Sequence, residues 1–288
     1  MSEAVTTIKY APGEQGGTLQ HYDLEPEVFE QFLDPYMKYT CGLYLSGKES
    51  LAEAQRQKMA FIAQKLGICG GERVLDVGCG WGSLLLFLAQ QFSCQGWGVT
   101  PAPNQAKYIL KKASDWHLAT QIRVEQAYIQ NLRLPAASFD AVTFVGCISH
   151  MSDKLGILQA CYRALKPKGT IYISESCFRN PQKYKEFSES PGMRFVRDEV
   201  FGWGSLEPLS VIVSAVEDAG FSLTGLTDLT SHYQRTILDW MHNIKRNQAS
   251  LEAIHPGIAD KLLRYLELSN IAWGFTTKHY AIVATKKR

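Results

Sequence analysis

The chain has 288 residues, 45% of them hydrophobic and 20% charged, and its 30 basic and 28 acidic side chains leave a net charge of +2. Such a composition can bury a large core, and it excludes a disordered chain as well as a polybasic surface for nucleic acid or an anionic membrane. Cys41, Cys69, Cys79, Cys94, Cys147, Cys161 and Cys177 are dispersed with no C-x-x-C pair, so neither a disulfide framework nor a metal site is indicated and a reducing, cytoplasmic setting fits.

The first 17 residues are small, polar and Gly-rich, and a flexible arm is expected over 1–20. The start is neither basic nor followed by an apolar leader, and no apolar run of about 18 residues occurs. Helical spacing of Val28, Phe29, Phe32 and Leu33 predicts a helix over 25–37, and Ala54, Met59, Ile62 and Leu66 predict another over 50–66. From Glu72 onward, short β-branched runs alternate with amphipathic stretches, the pattern of a parallel sheet with helical crossovers. Strands are predicted at 73–77, 95–100, 122–126, 139–145 and 169–176, with helices over 83–91, 102–116 and 154–165 between them. Residues 178–206, rich in charge, Gly and aromatics, break this rhythm and read as a lid. A helix over 206–219, a strand over 221–229, a helical cap within 231–275 and a last strand over 279–285 complete the order. The fold class is α/β, a Rossmann-like and mostly parallel sheet of about seven strands, with N-terminal helices and a helical cap.

The informative segment is Val74-Leu75-Asp76-Val77-Gly78-Cys79-Gly80-Trp81-Gly82, a buried strand that runs into a Gly-rich turn and then a helix. Glycines allow positive φ and a close backbone approach, while the helix start offers unpaired N–H groups. Taken alone, G-x-G-x-G also fits a dinucleotide site or a tightly packed turn. A dinucleotide fingerprint, however, needs G-x-G-x-x-G and an acid ending the next strand, whereas here the acid, Asp76, lies two residues before the first glycine and strand two ends in Val99-Thr100. That arrangement favours S-adenosylmethionine (SAM), with Asp76 ordering the loop or facing the methionine amino group.

Further pieces join this motif in order: H-Y-D-L at 21–24, F-L-D-P-Y-M-K-Y-T-C at 32–41, L-x-E-A-Q at 51–55, and G-V-T at 98–100 with Gln105. Together they resemble the cyclopropane-fatty-acid-synthase-like group of class I SAM-dependent methyltransferases, from His21 to Lys287. The resemblance implies that Tyr39 and Thr40 border the cofactor, that Gly78, Cys79 and Gly80 cradle it, that Thr100 and Gln105 reach the ribose and that Tyr128 lies near the adenine. Tyr22 would close over the sulfonium. Simple packing or turn formation is the alternative for Tyr22, Tyr39, Thr100 and Tyr128.

In the cyclopropane synthases, strand four ends in a Glu-His pair, and Cys, Glu, His and Tyr side chains hold a bicarbonate ion. This sequence keeps Cys41 and offers Tyr265, but it has Cys147-Ile148-Ser149-His150 at the pair and Ser174 where the family's next His stands. The resemblance therefore does not carry a bicarbonate site over intact. His150 and Glu175, at the ends of strands four and five, are the candidate proton acceptors; His150 also suits a turn-capping role, and Glu175 a place lining the acceptor pocket. Tyr184, Phe187, Phe195, Phe201 and Trp203 in the lid, with Trp240, Tyr265 and Trp273 in the cap, supply an apolar, cation-tolerant acceptor site or simply core. The reading is a methyltransferase for a small, largely apolar acceptor, natural-product or lipid-like, at N, C or O. Two alternatives stay open: a lipid cyclopropane or methyl-branch synthase, and a non-catalytic SAM-binding protein. The partner expected is a small molecule, with no nucleic acid and no membrane insertion, and a homo-oligomer is compatible with the sequence.

Overall fold

The structure, a computed structural model, describes residues 10–287. Two short helical turns, α1 (Glu14–Gly17) and α2 (Leu19–Tyr22), and α3 (Pro26–Glu30) precede α4 (Leu51–Leu66). Then β1 (Arg73–Val77), α5 (Ser83–Phe92), β2 (Gln95–Thr100), α6 (Pro103–Asp115), β3 (Ile122–Gln126), β4 (Phe139–Val145), α7 (Lys154–Ala164) and β5 (Leu165–Phe178) alternate. After them come α8 (Pro181–Phe187), α9 (Pro191–Arg194), a π-helical turn (Phe195–Phe201), α10 (Leu209–Asp218), β6 (Phe221–Asp228), α11 (Thr230–Arg246), α12 (Gln248–Ile254), α13 (Ile258–Ala272) and β7 (Thr277–Lys286).

The seven strands form one sheet in the order β3-β2-β1-β4-β5-β7-β6, with β7 antiparallel to both neighbours and the rest parallel. Strand order reverses about β1, which has β2 on one side and β4 on the other. A reversal of this kind opens a crevice at the carboxyl ends of those strands, the usual ligand position in such sheets.

Alternation along the strands builds two cores. Leu75, Val142, Phe144, Ile171 and Ile173 face α7 and α10, meeting Ile157, Leu158, Ile212 and Val216. Val74, Ala141 and Tyr172 face the other way, against Met59 and Ile62 of α4 and Leu84 and Leu88 of α5. Asp76 and Thr143 share this second face in register, and the Thr143 hydroxyl donates to Asp76 Oδ1 at 2.6 Å. A third cluster unites the N-terminal segment with the cap: Phe29, Phe32 and Trp81 pack with Trp240, Ile244, Leu262 and Leu266.

Helix α4 is fixed at its start by a capping box, in which Ser50 and Glu53 satisfy each other's backbone N–H groups; such a cap is worth about 1 kcal/mol. At the middle of α4, Gln55 Nε2 donates to the Thr40 carbonyl at 2.6 Å and Lys58 Nζ donates to the Thr40 hydroxyl at 2.5 Å, so the loop over residues 38–41 is held from below.

Two expectations are corrected. Residues 1–9 lie outside the described residues, but the arm expected over 1–20 is a packed segment from Tyr10 onward. The Glu14 side chain, 2% exposed, accepts from the Ala11 N–H at 2.8 Å, the Ser152 N–H at 3.1 Å and Gln130 Nε2 at 2.9 Å. The helix expected over 25–37 stops at Glu30, because Asp34 precedes a proline and instead caps a turn: its carboxylate accepts from the Tyr36 N–H at 2.9 Å and the Lys38 N–H at 2.8 Å. Among the described residues no helix is long and apolar enough to cross a membrane.

Candidate active site

The crevice beyond β1 and β2 is a cleft of about 130 Å³, bordered by Tyr39, Thr40, Gly78, Gly80, Thr100 and Gln105. Two glycines shape it differently. Gly78 (φ +65°) runs so close to Cys147 that a Cβ would come within 2.6 Å of the cysteine's own Cβ, which makes this glycine a packing requirement. Gly80 (φ +56°) has nothing within 4 Å of the Cβ position, so the bend faces open space. No side chain plugs the turn, and a nucleoside cofactor fits along it. The Thr100 hydroxyl donates to Gln105 Oε1 at 2.7 Å, setting both polar groups at the end of the cleft toward β2. Tyr128 closes the far end, where its hydroxyl accepts the Gly16 N–H.

A second cavity of about 370 Å³ lies under the lid and cap. Tyr22, Tyr39, Phe201, Trp203, Tyr233 and Tyr265 give it aromatic walls, and Glu175, His150 and His279 are its ionisable groups near the sheet. Tyr22, Tyr39, Thr40, Gly146 and His150 border both cavities and form the wall between them. Gly146 (φ +74°) is what lets the loop over residues 38–41 approach, since a Cβ there would lie 2.8 Å from Thr40 Cγ2.

Hydrogen bonding fixes the state of His150. Its Nδ1 lies 2.7 Å from the Trp203 carbonyl, which can only accept, so Nδ1 carries the proton and Nε2 accepts from the Tyr22 hydroxyl at 3.2 Å. Burial lowers the His150 pKa to about 4, so the ring is neutral at ordinary pH. Glu175 is 5% exposed, and burial pushes its carboxyl above the usual range even though the Ser149 N–H (3.1 Å) and Ser176 N–H (2.8 Å) both donate to it. His279 sits between the Ser174 hydroxyl (2.8 Å) and the Ser176 hydroxyl (3.1 Å), and burial lowers its pKa to about 3. The Tyr39 hydroxyl is buried with no partner among the described residues, although it stands in the shared wall.

Of the residues expected at the cofactor, Tyr22, Tyr39, Thr40, Gly78, Cys79, Gly80, Thr100, Gln105 and Tyr128 all border the cleft. Asp76 does not: it lies behind the wall, with Oδ1 taken by Thr143 and Oδ2 without a partner among the described residues. Both expected proton acceptors, His150 and Glu175, face the second cavity, and His150 is held by the lid rather than capping its own turn. Phe187, Phe201, Trp203, Tyr265 and Trp273 line that cavity, whereas Trp240 is core beneath it, Tyr184 packs edge-on against Phe178, and Phe195 lies 4.2 Å under the Arg264 guanidinium. Cys41 turns away, its thiol donating to the Gly42 carbonyl at 3.0 Å. His279 and Glu14 were not singled out from the sequence. Strand alternation places His279 with the inward residues Thr277 and Ala281, which was its one signal; Glu14 gave none.

An acid and an imidazole thus stand in the chamber beside Ser149 and Ser174, the positions at which the resemblance leads one to expect Glu and His. Glu175 reaches in from β5 to the backbone of Ser149, and His279 reaches in from β7 to the hydroxyl of Ser174.

The strand order, the cleft beyond β1 and the glycine turn define a class I methyltransferase fold. Over residues 14–282 the chain matches the family described as mycolic acid cyclopropane synthetase, and it belongs to that family of SAM-dependent methyltransferases, with SAM as cofactor. It is 31% identical over 264 residues to sphingolipid C9-methyltransferase B of Emericella nidulans, an alignment covering 88% of this chain and 49% of that protein, so the chain spans about half of that relative's length. It is 25% identical over 255 residues to cyclopropane mycolic acid synthase 1 of Mycobacterium tuberculosis, covering 85% of this chain and 88% of that one. The cyclopropane synthase MmaA2 of Mycobacterium tuberculosis superposes with a TM-score of 0.89 at 23% identity, over 96% of this chain and 100% of that one.

Proposed function

We propose that the protein transfers a methyl group from SAM to a small, largely apolar acceptor, lipid-like or a natural product, at N, C or O. The supporting observation is the shared wall: an aromatic chamber and a nucleoside cleft meet at Tyr22, Tyr39, Thr40, Gly146 and His150. When bound, SAM supplies an electrophilic methyl carbon. The chain's residues hold the acceptor, exclude water and take its proton. Aromatic rings desolvate the acceptor and tolerate positive charge developing on it. Glu175, its carboxylate steadied by two backbone N–H groups, accepts the proton lost by the methylated acceptor. His150, neutral and bonded to Tyr22, positions that tyrosine in the wall and serves as the second proton acceptor by way of the Tyr22 hydroxyl, which donates to its Nε2.

A lipid methylene or methyl-branch transfer is the runner-up, favoured by the Glu175 and His279 pair standing beside Ser149 and Ser174. In either reading, 178–206 acts as lid and 231–275 as cap. The free cysteines fit a reducing, cytoplasmic compartment, and the near-neutral charge fits a small-molecule partner rather than nucleic acid. The test is incubation with labelled SAM and separate amine, phenol, enolisable carbonyl and unsaturated phospholipid acceptors, with mass spectrometry of whatever co-purifies. Label in an amine, phenol or enolisable acceptor supports the first reading, and label in phospholipid the second. No S-adenosylhomocysteine from any acceptor overturns both and leaves a binding protein.

A further inference from the structure

We propose that Lys38 recognises the α-carboxylate of the cofactor's methionyl group, and that it alone supplies the cation that sets which end of the amino-acid moiety points to the cleft floor. The inference rests on the reading of the cleft as the SAM site.

Lys38 borders the cleft and is only 5% exposed. Its backbone cannot withdraw: the N–H donates to Asp34 Oδ1 at 2.8 Å, and the carbonyl accepts from Gln55 Nε2 at 3.3 Å. Its ammonium makes no hydrogen bond and no ion pair within 4 Å among the described residues, whereas the neighbouring Lys58 has the Thr40 hydroxyl. The same cleft is lined by Val77 and Gly78 at the end of β1 and by Val145 and Cys147 at the end of β4, and the acids whose charges act on Lys38 are Asp76 and Asp34. Thr100, Gln105 and Tyr128, by contrast, lie toward β2 and β3. An adenosine laid over that second region puts the amino-acid end of the cofactor at Lys38.

A buried cation without a hydrogen-bonded partner is costly, and burial indeed pushes the Lys38 pKa down while Asp76 pulls it back. The buried acids near Lys38 have other partners: Asp34 accepts the Tyr36 and Lys38 backbone N–H groups and Asp76 Oδ1 accepts from Thr143, and neither carboxylate pairs with the Lys38 or Lys58 ammonium among the described residues. SAM carries two cationic groups and a single anionic one. Lys38 repels the sulfonium and the amino group and attracts the carboxylate, so the moiety has one favourable orientation. The competing anion site is the start of α5, where backbone N–H groups also point toward the glycine turn.

Calorimetry with S-adenosylhomocysteine and its decarboxylated counterpart, on the whole chain, tests the assignment. The expected result is tighter binding of the carboxylated ligand by roughly 10- to 100-fold, the range for a hydrogen bond between charged groups. In Lys38→Met that preference disappears because affinity for the carboxylated ligand falls, while affinity for the decarboxylated one holds and shows the cleft intact. Lys38→Arg should restore part of the preference. The proposal is overturned if the unaltered protein binds both ligands equally, or if Lys38→Met still discriminates as before, which would assign the carboxylate to α5. Should Lys38→Met fail to fold, Lys38→Gln carries the same comparison. If the unaltered protein binds neither nucleoside, the cofactor reading itself fails, a different outcome from the failure of Lys38.

Discussion

The Glu175 carboxylate closes on the backbone N–H of Ser149 at 3.1 Å, joining the end of β5 to the turn that follows β4. Its other oxygen takes the Ser176 N–H at 2.8 Å. Lys154, whose charge acts on Glu175, makes its own contacts with Glu207 at 2.7 Å and the Met151 carbonyl at 2.8 Å. The negative charge in the chamber is thus held mainly by backbone N–H groups, with no ion pair on Glu175 among the described residues, and it attracts a cationic acceptor.

Replacing Glu175 with Gln keeps the shape and one backbone bond but removes the proton acceptor. Turnover should fall by about 10²- to 10⁴-fold, while S-adenosylhomocysteine affinity, read by calorimetry, stays unchanged. Because burial raises the Glu175 pKa above its ordinary 4.5, turnover of the unaltered enzyme should rise with pH along a limb lying above that value. The same limb should be missing from Glu175→Gln; a retained turnover and an identical profile would remove Glu175 from the chemistry.

Gly78 and Gly80 should respond to substitution in different observables. Gly78→Ala drives a Cβ to 2.6 Å from Cys147 Cβ at positive φ, so thermal stability should drop by an amount on the order of 2–4 kcal/mol. Gly80→Ala meets only the φ penalty of roughly 1 kcal/mol, but a larger side chain such as valine enters the cleft. Gly80→Val should thus lose cofactor binding, and melt below Gly80→Ala because a β-branched residue strains further at positive φ, whereas equal binding by the two would contradict the open bend at Gly80.

Tyr22→Phe deletes the donor to His150 Nε2 and leaves the Nδ1–H bond to Trp203 in place. That donor stabilises the neutral ring, so its loss should move the His150 pKa upward from about 4, measurable by NMR titration of the ring protons. A stability loss of about 1 kcal/mol should accompany it. An unmoved titration would show that Tyr22 does not engage the ring in solution.

Two buried histidines and one half-buried should make the stability of the protein acid-sensitive. His21, His150 and His279 are held neutral by burial, with pKa values lowered to about 3, about 4 and about 3 from 6.5. Below pH 6.5 the unfolded chain takes up protons that the folded chain refuses, so the stability these groups contribute is complete above 6.5 and is lost as pH falls through the window down to 4 or 3. Asp34, Asp76 and Glu175, raised by burial, act in the opposite sense within the acid range. The difference between two proteins isolates one group: His279→Gln should flatten the slope of stability against pH below 6.5 by up to roughly 1.4 kcal/mol per unit. Parallel slopes from melts at pH 7, 6 and 5 would show that His279 protonates in the folded state.

The strands at 73–77, 95–100, 122–126 and 139–145 coincide with those predicted from sequence; for β1 and β4, central and largely buried, the reason is that an apolar run meets a glycine, Gly78 or Gly146, at its end. The cofactor cleft was legible for a different reason: its residues cluster in short segments, each carrying its own motif. A motif gives spacing, not the face a side chain takes, so nothing in 74–82 tells that Asp76 Oδ1 meets Thr143, 67 positions away. Lys38 and His279 escaped notice since their meaning comes from what surrounds them, Asp76 and Cys147 for one, Ser174 and Ser176 for the other. The helix expected over 25–37 shows the reverse error, in which apolar spacing was trusted across a proline that the backbone obeys.

Strand β7 lies between β5 and β6, although β6 comes earlier in the chain. Until residues 277–286 have been made, β6 has no neighbour to pair with, and the chamber lacks the wall that carries His279. One strand, reached only after the three helices of the cap, therefore completes both the sheet edge and the chamber wall. Everything that shapes the nucleoside turn is in place by β5, whereas the acceptor chamber takes His279 from β7 and Tyr233, Tyr265 and Trp273 from the segment before it, so the two cavities are encoded in successive parts of the chain.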